Sequence, residues 1–125
     1  MKISIDTVSI EEDEEGILVV ALINSKNENN CIMLQFQETL SDQDIELGWS
    51  KYYIGTCDGS IGNYSCIEKV HLLDNTLVFN FNKTGLSTFN VENIEISIPA
   101  TEFRNVKAVL VERFELEDAV KLVYE

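Results

Sequence analysis

The sequence predicts a mainly β protein, an antiparallel β-sandwich or partly open barrel of about seven or eight strands with one C-terminal helix. Two observations lead to this prediction. Short apolar segments, several of them alternating with polar residues, recur along the chain between polar or glycine-containing turns, as is typical of strands. Apolar residues at helical spacing stand out after residue 100, near the C-terminus.

The first half of the chain predicts four strands. Lys2 to Ser9 alternates loosely and indicates an opening strand, and the acidic run 11–15, which ends at Gly16, indicates an exposed turn. The next strands are predicted at residues 17–23, 31–37 and 51–57, with a polar loop at 25–30 and an irregular segment at 39–50. In the last of these strands Tyr52 and Tyr53 must point to opposite faces, so at most one of them faces outward.

The second half predicts a hairpin, a further strand and the helix. Asp74 and Asn75 tolerate positive φ and separate the apolar strands 66–73 and 76–81, which is typical of a tight hairpin. Another strand at 93–98 stops at Pro99. Residues 101–114 have apolar residues three and four apart and Thr101 as an N-cap, which favours a helix, although their β-branched residues keep a strand open. Residues 119–124 are predicted to form an edge strand.

The chain length and the cysteines bear on organisation and compartment. Its 125 residues, without repeats or linkers, predict one domain spanning 1–125. The first residues lack the apolar core of a signal peptide, and no segment is apolar for long enough to span a bilayer. Three widely spaced cysteines, Cys31, Cys57 and Cys66, are typical of reduced thiols. These features predict a cytoplasmic protein.

The charge is strongly acidic and unevenly distributed. Twenty-two acids and nine bases give a formal charge of −13, and residues 1–62 carry −9 of it. Such a charge repels phosphate backbones and anionic membrane surfaces, which argues against both as partners. It favours a basic protein partner, because opposite charges steer association.

Catalytic and metal-binding patterns are weak. His71 is the one histidine, and its strand context favours an exposed strand residue over a catalytic one. The cysteines and His71 lack the paired spacing of a zinc site. The acidic segment from Asp42 to Glu46 has Leu47 and Tyr53 where a calcium loop needs Gly and Glu. We therefore predict no enzyme activity, no cofactor and no metal.

A partner-binding surface is the remaining prediction. Aromatic side chains provide interface hot spots, and acids complement a basic partner. The alternative is that the aromatic residues belong to the core. The predicted partner-binding residues are Asp42, Asp44, Glu46, Trp49, Asp58 and Tyr64.

A resemblance to a known family is carried by five short segments in fixed order. They are Ile32-Met33-Leu34-Gln35, Asp42-Gln43-Asp44, Leu47-Gly48, Tyr52-Tyr53-Ile54 and Gly59-Ser60-Ile61-Gly62-Asn63-Tyr64. This order resembles the Immunity protein 10 family of bacterial polymorphic toxin systems. In that family an apolar strand runs into Leu-Gln, an acidic loop ends at a Gly, and a Tyr-containing strand and a glycine-rich turn follow.

The resemblance implies a function. It implies an antitoxin-type immunity protein that binds a cognate toxin domain and inhibits it stoichiometrically. The acidic surface implies a basic toxin, and a nuclease would have such a surface because nucleases bind phosphates. The alternative is a small-molecule-binding β-barrel protein without catalysis, with its ligand in the barrel mouth. The sequence does not set an oligomeric state.

Overall fold

The structure is a computed structural model that describes residues 1–27, 29–37, 40–47 and 50–124. Within these ranges the chain forms ten strands and three helices. The strands are β1 (Lys2–Ser4), β2 (Thr7–Glu12), β3 (Leu18–Ile23), β4 (Cys31–Phe36), β5 (Tyr52–Thr56), β6 (Gly62–Tyr64), β7 (Ile67–Leu73), β8 (Thr76–Phe81), β9 (Asn93–Ser97) and β10 (Lys121–Tyr124). The helices are α1 (Asp42–Glu46), α2 (Lys83–Phe89) and α3 (Ala100–Phe114).

The strands form two five-stranded sheets. Sheet A has the order β1-β9-β8-β7-β10, and sheet B has the order β2-β3-β4-β5-β6. Sheet B is antiparallel, whereas both edge strands of sheet A pair in parallel, β1 with β9 and β10 with β7. The prediction of a mainly β fold with a C-terminal helix is confirmed. In the described part of the chain the sheets do not close into a barrel.

The two sheets share one apolar core. Residues alternate between buried and half-buried along β3 and β8, as strands with one covered face require. From α3, Val106, Leu110 and Phe114 are fully buried. The Phe114 ring meets Phe36 of sheet B and Phe79 of sheet A, so this helix joins the two sheets.

The opening segment differs from the single strand predicted at Lys2 to Ser9. It is two strands, because the Ile5 N–H donates to Ser97 in sheet A and the Asp6 N–H donates to Ile23 in sheet B. The Asp6 carboxylate then accepts hydrogen bonds from the backbone N–H and the hydroxyl of Ser25. The chain thus crosses from one sheet to the other at the point where the apolar alternation shifts by one residue, between Ile5 and Val8.

The turns and helices agree only in part with the predictions. The hairpin at Asp74 and Asn75 is confirmed, with φ of 53° and 59°. Residues 100–114 are helical, which resolves the open choice, but Pro99 rather than Thr101 is the N-cap. The acidic turn is shorter than predicted, since β2 extends through Glu12. The strand β6 and the helices α1 and α2 were not predicted.

The cysteine prediction is wrong for two of the three residues. Cys31 and Cys57 form a disulfide with a Cα–Cα distance of 5.4 Å. They stand one position beyond the Ile32–Thr56 pair of the β4–β5 ladder, so strand register brings them together despite a sequence separation of 26 residues. Cys66 is a buried free thiol.

Candidate partner-binding surface

The α1 helix lies inside the segment that was predicted to be irregular. The Ser41 hydroxyl accepts a hydrogen bond from the Asp44 N–H (3.1 Å), and the Asp44 carboxylate accepts one from the Ser41 N–H (3.0 Å). This reciprocal pair is a capping box, which satisfies two backbone donors that the first turn would otherwise leave unpaired. Asp42 and Asp44 in the first turn also suit the positive end of the helix dipole.

The α1 helix buries none of its residues. At 100° per residue, Asp42, Ile45 and Glu46 share one side. Both carboxylates are exposed there, and Ile45 beside them is 60% exposed. Leu47, directly after the helix, is 56% exposed. Exposed apolar side chains next to exposed carboxylates give this helix the mixed apolar and polar character of many protein interfaces.

Asp44 occupies the opposite side of α1 and is half-buried. The pKa of the Tyr64 hydroxyl is raised, first by partial burial, then by Tyr53 and then by the negative charge of Asp44. The rings of Tyr53 and Tyr64 meet edge to face, with centroids 5.2 Å apart. Asp44 and Tyr64, two predicted partner-binding residues, are therefore within electrostatic range of each other.

The Tyr53 side chain packs over two glycines on the outer face of sheet B. Gly55 and Gly62 are register partners, and a Cβ atom added to either would collide with the Tyr53 side chain. Tyr52 points the other way, as the alternation predicted. It is 4% exposed, and its hydroxyl accepts a hydrogen bond from the Ile67 N–H (3.0 Å). Burial raises the pKa of Tyr52 to about 12. Tyr52 belongs to the core, and Tyr53 does not.

Asp58 lies in the turn that joins β5 to β6. Its Oδ1 atom accepts hydrogen bonds from the Thr56 hydroxyl (2.7 Å), the Ser60 N–H (2.9 Å) and the Ser60 hydroxyl (2.8 Å). These donors, the Thr56 hydroxyl first, lower the pKa of Asp58 to about 2. Asp58 therefore holds the turn in shape while remaining charged and exposed.

We expect the Asp58 carboxyl to titrate near pH 2 in the folded protein. The stabilisation it gives the turn is fully present above 3.8, the ordinary pKa of an aspartate, and is lost as the pH falls through about 2. Replacing Thr56 by Val removes the first of the three donors and should move the pKa upward, toward 3.8. Carboxyl-detected NMR titration measures this. A pKa unchanged in the variant would contradict the assignment of that hydrogen bond.

The predicted partner-binding residues that the structure describes lie in three separate groups. Asp42 and Glu46 share the outward side of α1, and Asp44 lies with Tyr64. Asp58 is at the hairpin turn, and Trp49 lies outside the described residues. Sequence reasoning missed Ile45 and Leu47. The sequence does contain a signal for this helix, because Ser41 and Asp44 have the spacing of a capping box. Ile45 is then an apolar residue within an acidic helix.

Other kinds of site have little support in the described residues. Among them, no group of three or more His, Cys, Asp or Glu side chains is placed to hold a metal ion. No helix within the described ranges is long and apolar enough to cross a membrane. The alternative of a ligand in a barrel mouth required a closed barrel, and sheets A and B do not close where the structure describes them.

Comparison with known proteins gives one family match. The family model described as Immunity protein 10 matches residues 4–106, which is most of the chain and includes α1 and all of sheet B. No curated protein and no solved structure matches the chain.

Proposed function

Because the chain belongs to the Immunity protein 10 family, we propose that it binds a cognate toxin domain and inhibits it stoichiometrically, without turnover. Membership of an immunity family indicates an antitoxin function and a toxin partner, and such families are generally non-catalytic. We propose further that residues 1–125 act as one domain and that the binding surface includes Asp42, Asp44, Glu46, Trp49, Asp58 and Tyr64.

We place this binding surface at α1 because the helix is exposed to solvent. A five-residue helix with no buried side chain adds nothing to the core, yet it is held in shape by its own capping box. Its outward side places Ile45 beside Asp42 and Glu46. Interfaces commonly combine a central apolar anchor with a polar rim. Ile45 suits the role of the anchor, and the two carboxylates suit the rim.

The charge of the surface supports a basic toxin. The first 62 residues carry −9 of the −13 total, and α1 lies within them. Opposite charges accelerate encounter and disfavour wrong partners. A nuclease domain is the class of toxin we propose, because its phosphate-binding site is itself basic and would be covered by such an inhibitor.

We propose the cytoplasm of the producing cell as the place of action, since a toxin made there would otherwise reach its targets. The Cys31–Cys57 disulfide of the structure stands against this proposal, because a reducing cytoplasm keeps cysteines as thiols. The state of these two cysteines in the cell therefore tests it. Acid quenching of intact cells, alkylation of all thiols under denaturing conditions and mass spectrometry measure this state, because Cys31 is buried in the folded protein. Recovery of the two cysteines as a disulfide would contradict the cytoplasmic assignment.

We expect the double replacement Asp42→Asn and Glu46→Gln to slow toxin association about threefold to tenfold at low salt and to flatten its salt dependence. Asp44 is left intact because its carboxylate caps the helix. The matched control is Glu92→Gln with Glu112→Gln, which removes the same charge from exposed positions outside α1. Equal slowing in both double variants would show a general charge effect and remove α1 from the interface.

The measurement is calorimetric titration with the toxin-like domain encoded beside the gene, at low and moderate salt, together with stopped-flow association rates. Tight one-to-one binding that weakens with salt is the expected result. Tight binding that is indifferent to salt would retain the immunity function and contradict the acidic interface. Absence of binding to the folded domain would contradict the proposed partner.

A further inference from the structure

The outer face of sheet A carries a group of basic side chains in an otherwise acidic protein. Lys69 on β7 is the register partner of Lys121 on β10, and His71 lies two residues along β7 on the same face. Like charges directly opposite each other on neighbouring strands are destabilising. Within the described residues Lys2 forms an ion pair with Glu95, whereas neither Lys69 nor Lys121 takes part in one.

Protection of a sheet edge explains only part of this arrangement. Lysines on edge strands discourage edge-to-edge pairing, and Lys121 on β10 fits that role. Lys69 does not, because β7 lies between β8 and β10 and the side chain is half-buried. An interior strand gains nothing from a lysine held opposite another lysine. Edge protection alone therefore does not account for the pair.

Two adjoining depressions shape this face, and both are lined by His71 and Asn80. One has a volume of about 450 Å³ and is also lined by Glu68, Lys69 and Lys121. The other has a volume of about 280 Å³ and includes the apolar side chains of Leu73 and Val78. A cationic half thus adjoins an apolar half. This combination suits a ligand that has an anionic group at one end and an apolar body at the other.

We propose that this face binds a phosphate monoester, with its phosphoryl group between Lys69 and Lys121 and its organic body over Leu73 and Val78. Two ammonium groups, an imidazole and the Asn80 amide supply N–H donors on one face, which suits a dianion with three acceptor oxygens better than a single carboxylate. This inference is independent of the proposed immunity function.

The charges around the site determine how the pKa of His71 should respond to a bound anion. The pKa of His71 is lowered by partial burial and by the positive charges of Lys69 and Lys121. Glu68 lines the same depression and opposes an anion, and Glu95 lies beyond Val78 in the same register row. A bound phosphoryl group would favour the imidazolium form and raise the pKa of His71.

The test uses His71 as a reporter, because the single histidine gives one set of imidazole NMR signals. The protein is titrated with inorganic phosphate and with phenyl phosphate, each against chloride at equal ionic strength. We expect saturable shifts, a raised His71 pKa, and tighter binding of phenyl phosphate than of phosphate. Lys121→Ser should weaken binding about tenfold, and Glu68→Gln should strengthen it.

The matched control is Lys26→Ser, which makes the same change in net charge at an exposed turn of sheet B. Equal weakening in Lys26→Ser and Lys121→Ser would show general electrostatics and overturn the proposal. So would the absence of a saturable shift at millimolar ligand. A separate binding experiment uses vesicles that contain phosphatidic acid. Lys121-dependent binding to vesicles without a response to either soluble phosphate would assign the face to a membrane headgroup and overturn the small-ligand proposal.

Discussion

Replacing Phe114 by Ala is expected to lower the free energy of unfolding by about 3–5 kcal/mol, as for other fully buried phenylalanines. The Phe114 side chain is fully buried. Its ring contacts Phe36 and Tyr52 of sheet B and Phe79 of sheet A, with centroid distances of 5.2, 5.4 and 6.5 Å. The substitution leaves a cavity where α3 joins the two sheets, so both sheets lose packing at once.

Urea unfolding monitored by circular dichroism measures this loss. The matched control is Leu116→Ala, two residues further along, where the side chain is 71% exposed and its removal should change stability by less than about 0.5 kcal/mol. Phe114→Leu should fall between the two. Equal losses at both positions would contradict the placement of the helix against the core.

The result also concerns the part of the chain that the family match does not cover. That match ends at residue 106, within α3, and Phe114 lies beyond it. A total stability of roughly 5–15 kcal/mol is normal for a domain, so the expected loss is a large share. We therefore expect the segment after residue 106 to be needed for the fold that presents α1.

Sequence periodicity predicted the interior strands and the C-terminal edge strand β10 well, and the other sheet edges poorly. In β8, Leu77, Phe79 and Phe81 alternate with half-buried neighbours, so one buried face determines the pattern. Between Ile5 and Val8 the chain changes sheets, and its alternation shifts by one residue there. Ile3 and Ile5 face the core before the crossing, whereas Val8 and Ile10 pack against it afterwards. The parallel pairing of β1 and β10 depends on strand order, which local sequence does not contain.

The features of the candidate surface were also predictable from the sequence only in part. The opposite orientations of Tyr52 and Tyr53 followed from the two-residue period of a strand and are confirmed. The proximity of Asp44 to Tyr64 arises because a long segment returns to the sheet between β4 and β5, and composition does not indicate it. The pairing of Cys31 with Cys57 follows from strand register, which requires the sheet to be known first.

The double replacement of Cys31 and Cys57 by Ser is expected to lower the free energy of unfolding by about 3.5 kcal/mol when the disulfide is formed. The disulfide closes a loop across a sequence separation of 26 residues, and the chain-entropy treatment of cross-links assigns about this value to such a loop. Urea unfolding without reductant measures the difference. With reductant the unsubstituted protein should fall to the stability of the variant. A midpoint that is indifferent to reductant would contradict the disulfide.

This closed loop contains β4, α1 and β5, so the cross-link spans the segment that carries the proposed partner surface. Reduction should loosen the end of the β4–β5 ladder first, because Cys57 also donates its backbone N–H to Cys31 there (3.2 Å). Amide hydrogen exchange at residues 56–59 should therefore accelerate most in the Ser variant, because these amides also gain a local opening, while exchange in β8, at the centre of sheet A, should accelerate only by the loss of global stability. Equal acceleration at residues 56–59 and in β8 would mean that both exchange only through global unfolding, and would contradict a local loosening of the turn that holds Asp58.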